Sequence, residues 1–258
     1  MTIRSIALLA LVAVLPGGAT VFAAPSANSV QYSVSAPLVA TGFDPDARGA
    51  VQAVVKKKGQ VNLQRLRLAV SRLDPSTPYQ LLAGFGDDTN LVSVAEFNTT
   101  PGGRAVILQL APPASPKARR LPRKKALAEA LSPLTEVHTI AVATTNGEVV
   151  LFARLHDSPT LSFELNSVLS NTGADTAAIG VLSVAIQEGN LQFRLFAAGQ
   201  SPELTFCVNT EALATYVTDV AGRISIGALP RSAPSPLAFR NICVRNADDE
   251  IVLESTVP

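Results

Sequence analysis

Apolar and polar residues alternate along most of this chain. Val61 and Leu63, then Leu66, Leu68 and Val70, alternate with a change of phase between them. That pattern predicts one long strand carrying a β-bulge, because a single extra residue turns every later side chain to the other face. Leu182, Val184 and Ile186 are separated from Leu191, Phe193 and Leu195 by Glu188-Gly189-Asn190, which predicts a hairpin. Asn146-Gly147, between the apolar runs Ile140 to Val142 and Val149 to Leu151, predicts a second hairpin with a type I′ turn, since both residues tolerate positive φ. Helical spacing is confined to Lys124 through Leu131, so at most one short helix is expected, over residues 124–131. The expected class is all-β.

The second half echoes the first. Phe97-Asn98-Thr99-Thr100-Pro101-Gly102-Gly103-Arg104-Ala105-Val106-Ile107 matches Tyr216-Val217-Thr218-Asp219-Val220-Ala221-Gly222-Arg223-Ile224-Ser225-Ile226 at an offset of 119. Further on, Ile140-Ala141-Val142 and Glu148 to Leu151 match Ile242-Cys243-Val244 and Glu250 to Leu253 at an offset of 102. The first copy therefore carries 17 extra residues, within 111–134. Such an internal period predicts two tandem antiparallel β-sandwich domains, residues 26–159 and 160–258, with the insertion in the first.

Leu73-Asp74-Pro75-Ser76-Thr77-Pro78-Tyr79-Gln80-Leu81 resembles the Leu-x-Pro-x-Thr-x-Tyr segment of fibronectin type III domains. The run from Phe97 to Ile107 is similar to repeats of exported bacterial Ig-like sandwiches, such as the extracytoplasmic domains of some anti-sigma factors. The resemblance implies Ig-like sandwiches and a Tyr79 hydroxyl closed onto nearby backbone. It carries over no functional residue.

One basic residue, Arg4, an apolar stretch from Ile6 to Val14, Pro16-Gly17-Gly18 and small residues around Ala23-Ala24 have the order of a cleaved secretory signal peptide, residues 1–24. The apolar run is about half the ~20 residues that span a bilayer, and no later segment is apolar enough, so no transmembrane segment is expected after cleavage. The protein is expected to be secreted or periplasmic. Two cysteines, Cys207 and Cys243, both inside short apolar segments, then point to a disulfide, two buried free thiols being the alternative.

Charge divides unevenly. Residues 25–159 carry a balance of +5 and residues 160–258 one of −5, and all six lysines lie in the first part. Six cations, Lys117, Arg119, Arg120, Arg123, Lys124 and Lys125, crowd the insertion among four prolines. The segment reads as a solvated connector, as a contact for an anionic partner (a protein, a surface polymer or the chain's own acidic half), or as a protease-sensitive site; with no interleaved aromatic, sequence-specific nucleic-acid binding is not expected.

Little catalytic chemistry is on offer. The only histidines, His138 and His156, lack metal-ligand spacing and read as surface or capping residues. No Gly-x-Ser-x-Gly elbow and no Cys-x-x-Cys pair occur. Carboxylates gather at Asp44 and Asp46, at Asp87-Asp88 and at Asp248-Asp249-Glu250, in turns where Asp ordinarily bonds its own backbone. No catalytic, cofactor or metal residue is assigned. Two readings stand: an exported non-catalytic binding or structural protein of the cell envelope or surface, or an exported enzyme or inhibitor using loop carboxylates.

Overall fold

The computed structural model describes residues 28–58, 61–85, 90–111, 124–126 and 131–257. The first half holds β1 (Ser29–Ala40), β2 (Arg48–Lys58), β3 (Val61–Ser71), β4 (Pro78–Phe85), β5 (Leu91–Asn98), β6 (Ala105–Ala111), β7 (Lys124–Ala126), β8 (Val137–Thr144) and β9 (Val149–Arg154). The second holds β10 (Ser162–Asn171), β11 (Ile179–Gln187), β12 (Asn190–Ala198), β13 (Glu203–Val208), β14 (Glu211–Val217), β15 (Arg223–Ile226), β16 (Asn241–Arg245) and β17 (Ile251–Thr256). Apart from 3-10 turns at Leu134–Glu136 and Pro236–Ala238, the described elements are strands, and the fold is all-β.

In the first half β6, β3, β2 and β1 pair in sequence as one sheet, and β5, β4, β8 and β9 as another. The end of β1 crosses over, pairing Val39 with Phe152 and Ala40 with Leu151 of β9. The second half uses the same scheme: β15, β12, β11 and β10 on one side, β14, β13, β16 and β17 on the other, with the end of β10 crossing to β17. Strict alternation on β1 buries Val30, Tyr32, Val34, Ala36 and Leu38 against inward residues of the opposing sheet such as Leu81, Val142 and Leu151. Loop hydrogen bonds recur between the halves. Thr41 and Thr172 donate their backbone N–H to Val150 and Val252, Gly103 and Gly222 to Thr100 and Asp219, and Leu155 and Val257 to His138 and Arg240.

The halves share a sheet. β1 pairs antiparallel with β10, Gln31 opposite Glu164, Tyr32 opposite Phe163 and Ser33 opposite Ser162. Tyr32 and Phe163 hold equivalent places in the two halves, as do Thr41 and Thr172, so the pairing has the reciprocal form of a twofold axis passing between the two rings. Ser158 and Thr160, in the connection after β9, both donate their hydroxyls to the Ser35 carbonyl, at 3.1 and 2.6 Å.

Three local expectations need correction. Lys124–Ala126 begins no helix: it is β7, parallel to β6 from Leu108/Lys124 to Leu110/Ala126, and residues 127–130 lie outside the described residues. The open edge of β6 gives Lys124–Ala126 ladder bonds, while a turn or two of isolated helix gains little in water. The bulge expected in β3 is absent, as its register with β2 runs unbroken from Arg48/Ser71 to Lys58/Val61. The inward phase of Leu66, Leu68 and Val70 continues instead through buried Gln64, and Leu63 faces solvent. Gln64 is tolerated inside because its carbonyl accepts the Leu134 N–H at 2.8 Å and its amide donates to Ser132 Oγ at 3.2 Å.

The hairpin at Asn146-Gly147 forms, but only Gly147 takes a positive φ, and Thr144 donates to the Glu148 carbonyl across a three-residue loop, so the turn is not type I′. The expected hairpin between β11 and β12 forms, and its turn is two residues long, Glu188 and Gly189, both at positive φ.

Candidate functional site

Several turn carboxylates are held by hydrogen bonds. Asp44 Oδ1 accepts the Ala47 N–H, and the equivalent Asp175 accepts the Ala177 and Gln200 N–H groups at 3.0 and 2.6 Å. Asp219 takes the Ala221 and Arg223 N–H groups and the Arg223 guanidinium, and those bonds hold its carboxyl below the usual range. Asp249 is bonded by Arg245 and Glu250 by the Asn246 amide. Asp87 and Asp88 lie outside the described residues. Thr99, the middle of a glycosylation-like Asn-Thr-Thr, is buried, donates to the Asp74 carbonyl at 2.6 Å and accepts the Thr77 N–H at 2.9 Å. Next to it the Asp74 N–H donates to the Tyr79 hydroxyl at 3.2 Å, closing the corner foreseen on Tyr79.

The two histidines meet. β8 carries His138 and the end of β9 leads into His156, and their ring centroids are 3.8 Å apart. His156 Nε2–H donates to the Thr135 carbonyl at 3.0 Å, which fixes its neutral tautomer. Burial, with the neighbouring His138 adding to it, pushes His156 down to about 4. The Tyr32 ring stands edge-on to His156 at 6.5 Å, and its buried hydroxyl has no hydrogen-bond partner among the described residues. Phe163 does the equivalent job without a hydroxyl. Tyr32→Phe is therefore expected to raise stability by about 1 kcal/mol in urea unfolding, since it removes an unsatisfied buried group and no contact. A loss of stability would show that the hydroxyl has a partner. Sequence spacing gave no sign of this cluster, because it joins residues from β1, β8 and the connection after β9.

Cys207 on β13 and Cys243 on β16 are directly opposite in register, buried and unbonded. They belong to neighbouring strands of one sheet. Their neighbours Phe206, Val208, Ile242 and Val244 point into the main core, so the thiols occupy the other face of the sheet. Arg245, two residues beyond Cys243, shares that face. Its terminal nitrogens donate to Asp249 and to the Thr210 carbonyl, and its buried Nε has no partner among the described residues.

A shallow groove of about 460 Å³ opens between β5 and β6, lined by Phe97, Val106, Glu96 and Arg104 among others. β5 bonds only β4 among the described strands, and Val106 is 57% exposed. Of the basic cluster, Lys117, Arg119, Arg120 and Arg123 lie outside the described residues, while Lys124 and Lys125 form part of β7. The chain thus leaves from the end of β6 and returns beside it. Among the described residues no three His, Cys, Asp or Glu side chains gather as metal ligands, and no helix is long and apolar enough to cross a membrane. No protein-family model, curated protein or solved structure matches the chain.

Proposed function

We propose that this chain is an exported, non-catalytic binding protein of the cell envelope or surface, built from two tandem Ig-like sandwiches, that engages an anionic partner through the β5/β6 side of its first half. The observation that carries this reading is the coincidence of the open β5 edge and the β5/β6 groove with a cation-rich segment that leaves from β6 and returns beside it. The turn carboxylates support it from the other side, since those described above are engaged by backbone N–H groups, by arginine or by the Asn246 amide. The partner is an acidic protein or anionic surface polymer, with the −5 half of a second copy as the homotypic alternative. Export places the chain in an oxidising compartment, where Cys207 and Cys243 pair.

The test uses the full chain expressed with its leader. Exported material is expected to begin near Ala23 or Ala24 and to bind an anionic polymer such as dextran sulfate, weakening steeply with salt. Replacing Lys117, Arg119, Arg120, Arg123, Lys124 and Lys125 with Gln should reduce that binding at least about tenfold. An intact Met1 on recovered material would refute export. Unchanged binding would refute the assignment of the basic segment.

A further inference from the structure

The two halves fill one site differently. On the outer face of β4 and β8, Leu82 stands opposite Ala141, and with Ala143, Leu91 and Val149 they form a small apolar cluster apart from the main core. Leu82 follows a register shift against β5, as Cys207 follows one against β14, and Ala141 and Ala143 correspond to Cys243 and Arg245 at the offset of 102. The same scaffold position is thus sealed by aliphatics in one half. In the other it holds two opposed thiols and a guanidinium.

Packing does not demand that exchange, because the first half shows what packing alone selects. We propose that Cys243 and Cys207 form a thiol–disulfide exchange site for small disulfides, with Cys243 as the attacking sulfur, Cys207 as the resolving sulfur and Arg245 as the positioning cation. This rests on the pairing of the two cysteines proposed above and adds its direction and reversibility.

Register and exposure assign the roles. Asn209 donates its N–H to the Asn241 carbonyl at 3.0 Å, two positions along the same pairing, so Cys207 and Cys243 occupy the same hydrogen-bonded phase of the ladder. Opposite Cα atoms in that phase lie about 5.5 Å apart, inside the range a disulfide spans. The sulfurs differ. Cys243 keeps 5% exposure and Cys207 none. The Cys207 thiol beside it, and then the Arg245 guanidinium, hold Cys243 below the ordinary thiol range, against burial and the Glu254 carboxylate; Cys207 is pushed up.

Cys243 thiolate attacks one sulfur of the small disulfide, forming a mixed disulfide and expelling the other half as a thiolate. Cys207 then attacks the Cys243 sulfur, closes the protein disulfide and expels the second half, to which its proton passes. Two protein thiols are oxidised and one small disulfide is reduced to two thiols. Arg245 is held for this by its bonds to Asp249 and to the carbonyl of Thr210, a residue that itself sits at positive φ in the β13–β14 turn.

The test reduces the purified full chain, adds oxidised glutathione, quenches with acid and reads intact mass. The unmutated chain should lose two hydrogens and retain no glutathione, whereas Cys207→Ser should hold one glutathione on Cys243. Cys243→Ser should react at Cys207 about tenfold more slowly or worse, and Arg245→Gln should slow Cys243 several-fold near neutrality with recovery at alkaline pH. Limiting iodoacetamide on the unmutated, folded chain gives an independent answer, with Cys243 expected to label first. Faster reaction at Cys207, or no reaction of either thiol in the folded chain, would overturn the proposal. In that event a Cys207–Cys243 bond found by peptide mapping of exported material would still leave the pairing itself standing.

Discussion

Gly222→Ala and Gly103→Ala are each expected to destabilise the chain by about 3 kcal/mol, lowering its thermal midpoint by roughly 6–12 °C. Both glycines sit at positive φ, 70° and 66°, and a Cβ there would fall 2.0 Å from the Gly199 carbonyl oxygen and 2.1 Å from that of Leu73. Neither oxygen can retreat cheaply. The Gly199 and Leu73 N–H groups donate to the carbonyls of Gly222 and Gly103, at 2.9 and 3.1 Å, so these contacts tie the β12–β13 loop to the turn before β15 and the β3–β4 loop to the turn before β6. Alanine adds the strain of left-handed backbone to the loss of that bond. Gly42→Ala is the control, because its Cβ would meet nothing within 4 Å and its backbone is not left-handed. Urea unfolding of the three variants checks this. Equal midpoints for all three would show that the loops yield freely.

Acidification is expected to cost the folded chain about 2 kcal/mol through His156 alone, between roughly pH 6.5 and 4. Its value in the folded chain is about 4 against an ordinary 6.5. Above 6.5 the ring is neutral whether folded or unfolded, and stability is complete. Between the two values the unfolded chain takes up a proton that the folded chain excludes, so unfolding gains. Below about 4 both forms are protonated and the loss levels off. The full linkage of that shift would be about 3 kcal/mol, reduced here because the ring is partly exposed. The groups facing it are His138 from β8, the Thr135 carbonyl, Asp157 and the edge of Tyr32 from β1. Unfolding free energies of the parent and His156→Gln, measured across this range, should converge as pH falls. A constant difference would remove His156 as the source.

Strand content, both hairpins and the matching of the two halves were legible because each rests on local alternation or on turn residues at fixed spacing. A further echo went unread: Thr41-Gly42-Phe43-Asp44 and Thr172-Gly173-Ala174-Asp175 hold equivalent loops, yet too few identities surround them to stand out. Gln64 misled the phase of β3 because a buried amide looks polar until its partners, the Leu134 N–H and Ser132, are known. Lys124–Ala126 misled in the opposite sense, local helix preference yielding to a strand edge distant in sequence. The histidine cluster was hidden for the same reason: three separate elements supply it. The thiols were foreseen as a pair within apolar segments, whereas strand alternation turns them to the outer face of their sheet.

The reciprocal pairing of β1 with β10 makes each half its partner's substitute. The edge that the first half presents around Tyr32 is met by an equivalent edge around Phe163, and two copies of either half would find a similar complement in each other. The seven residues 155–161 settle the choice, holding the two edges of one chain at a local concentration that a second molecule must exceed to intrude. The Ser158 and Thr160 hydroxyls fasten that connection to Ser35. Severing it would turn a private joint into an open contest, in which β1 against β1 competes with β1 against β10 and the outcome depends on how crowded the solution is.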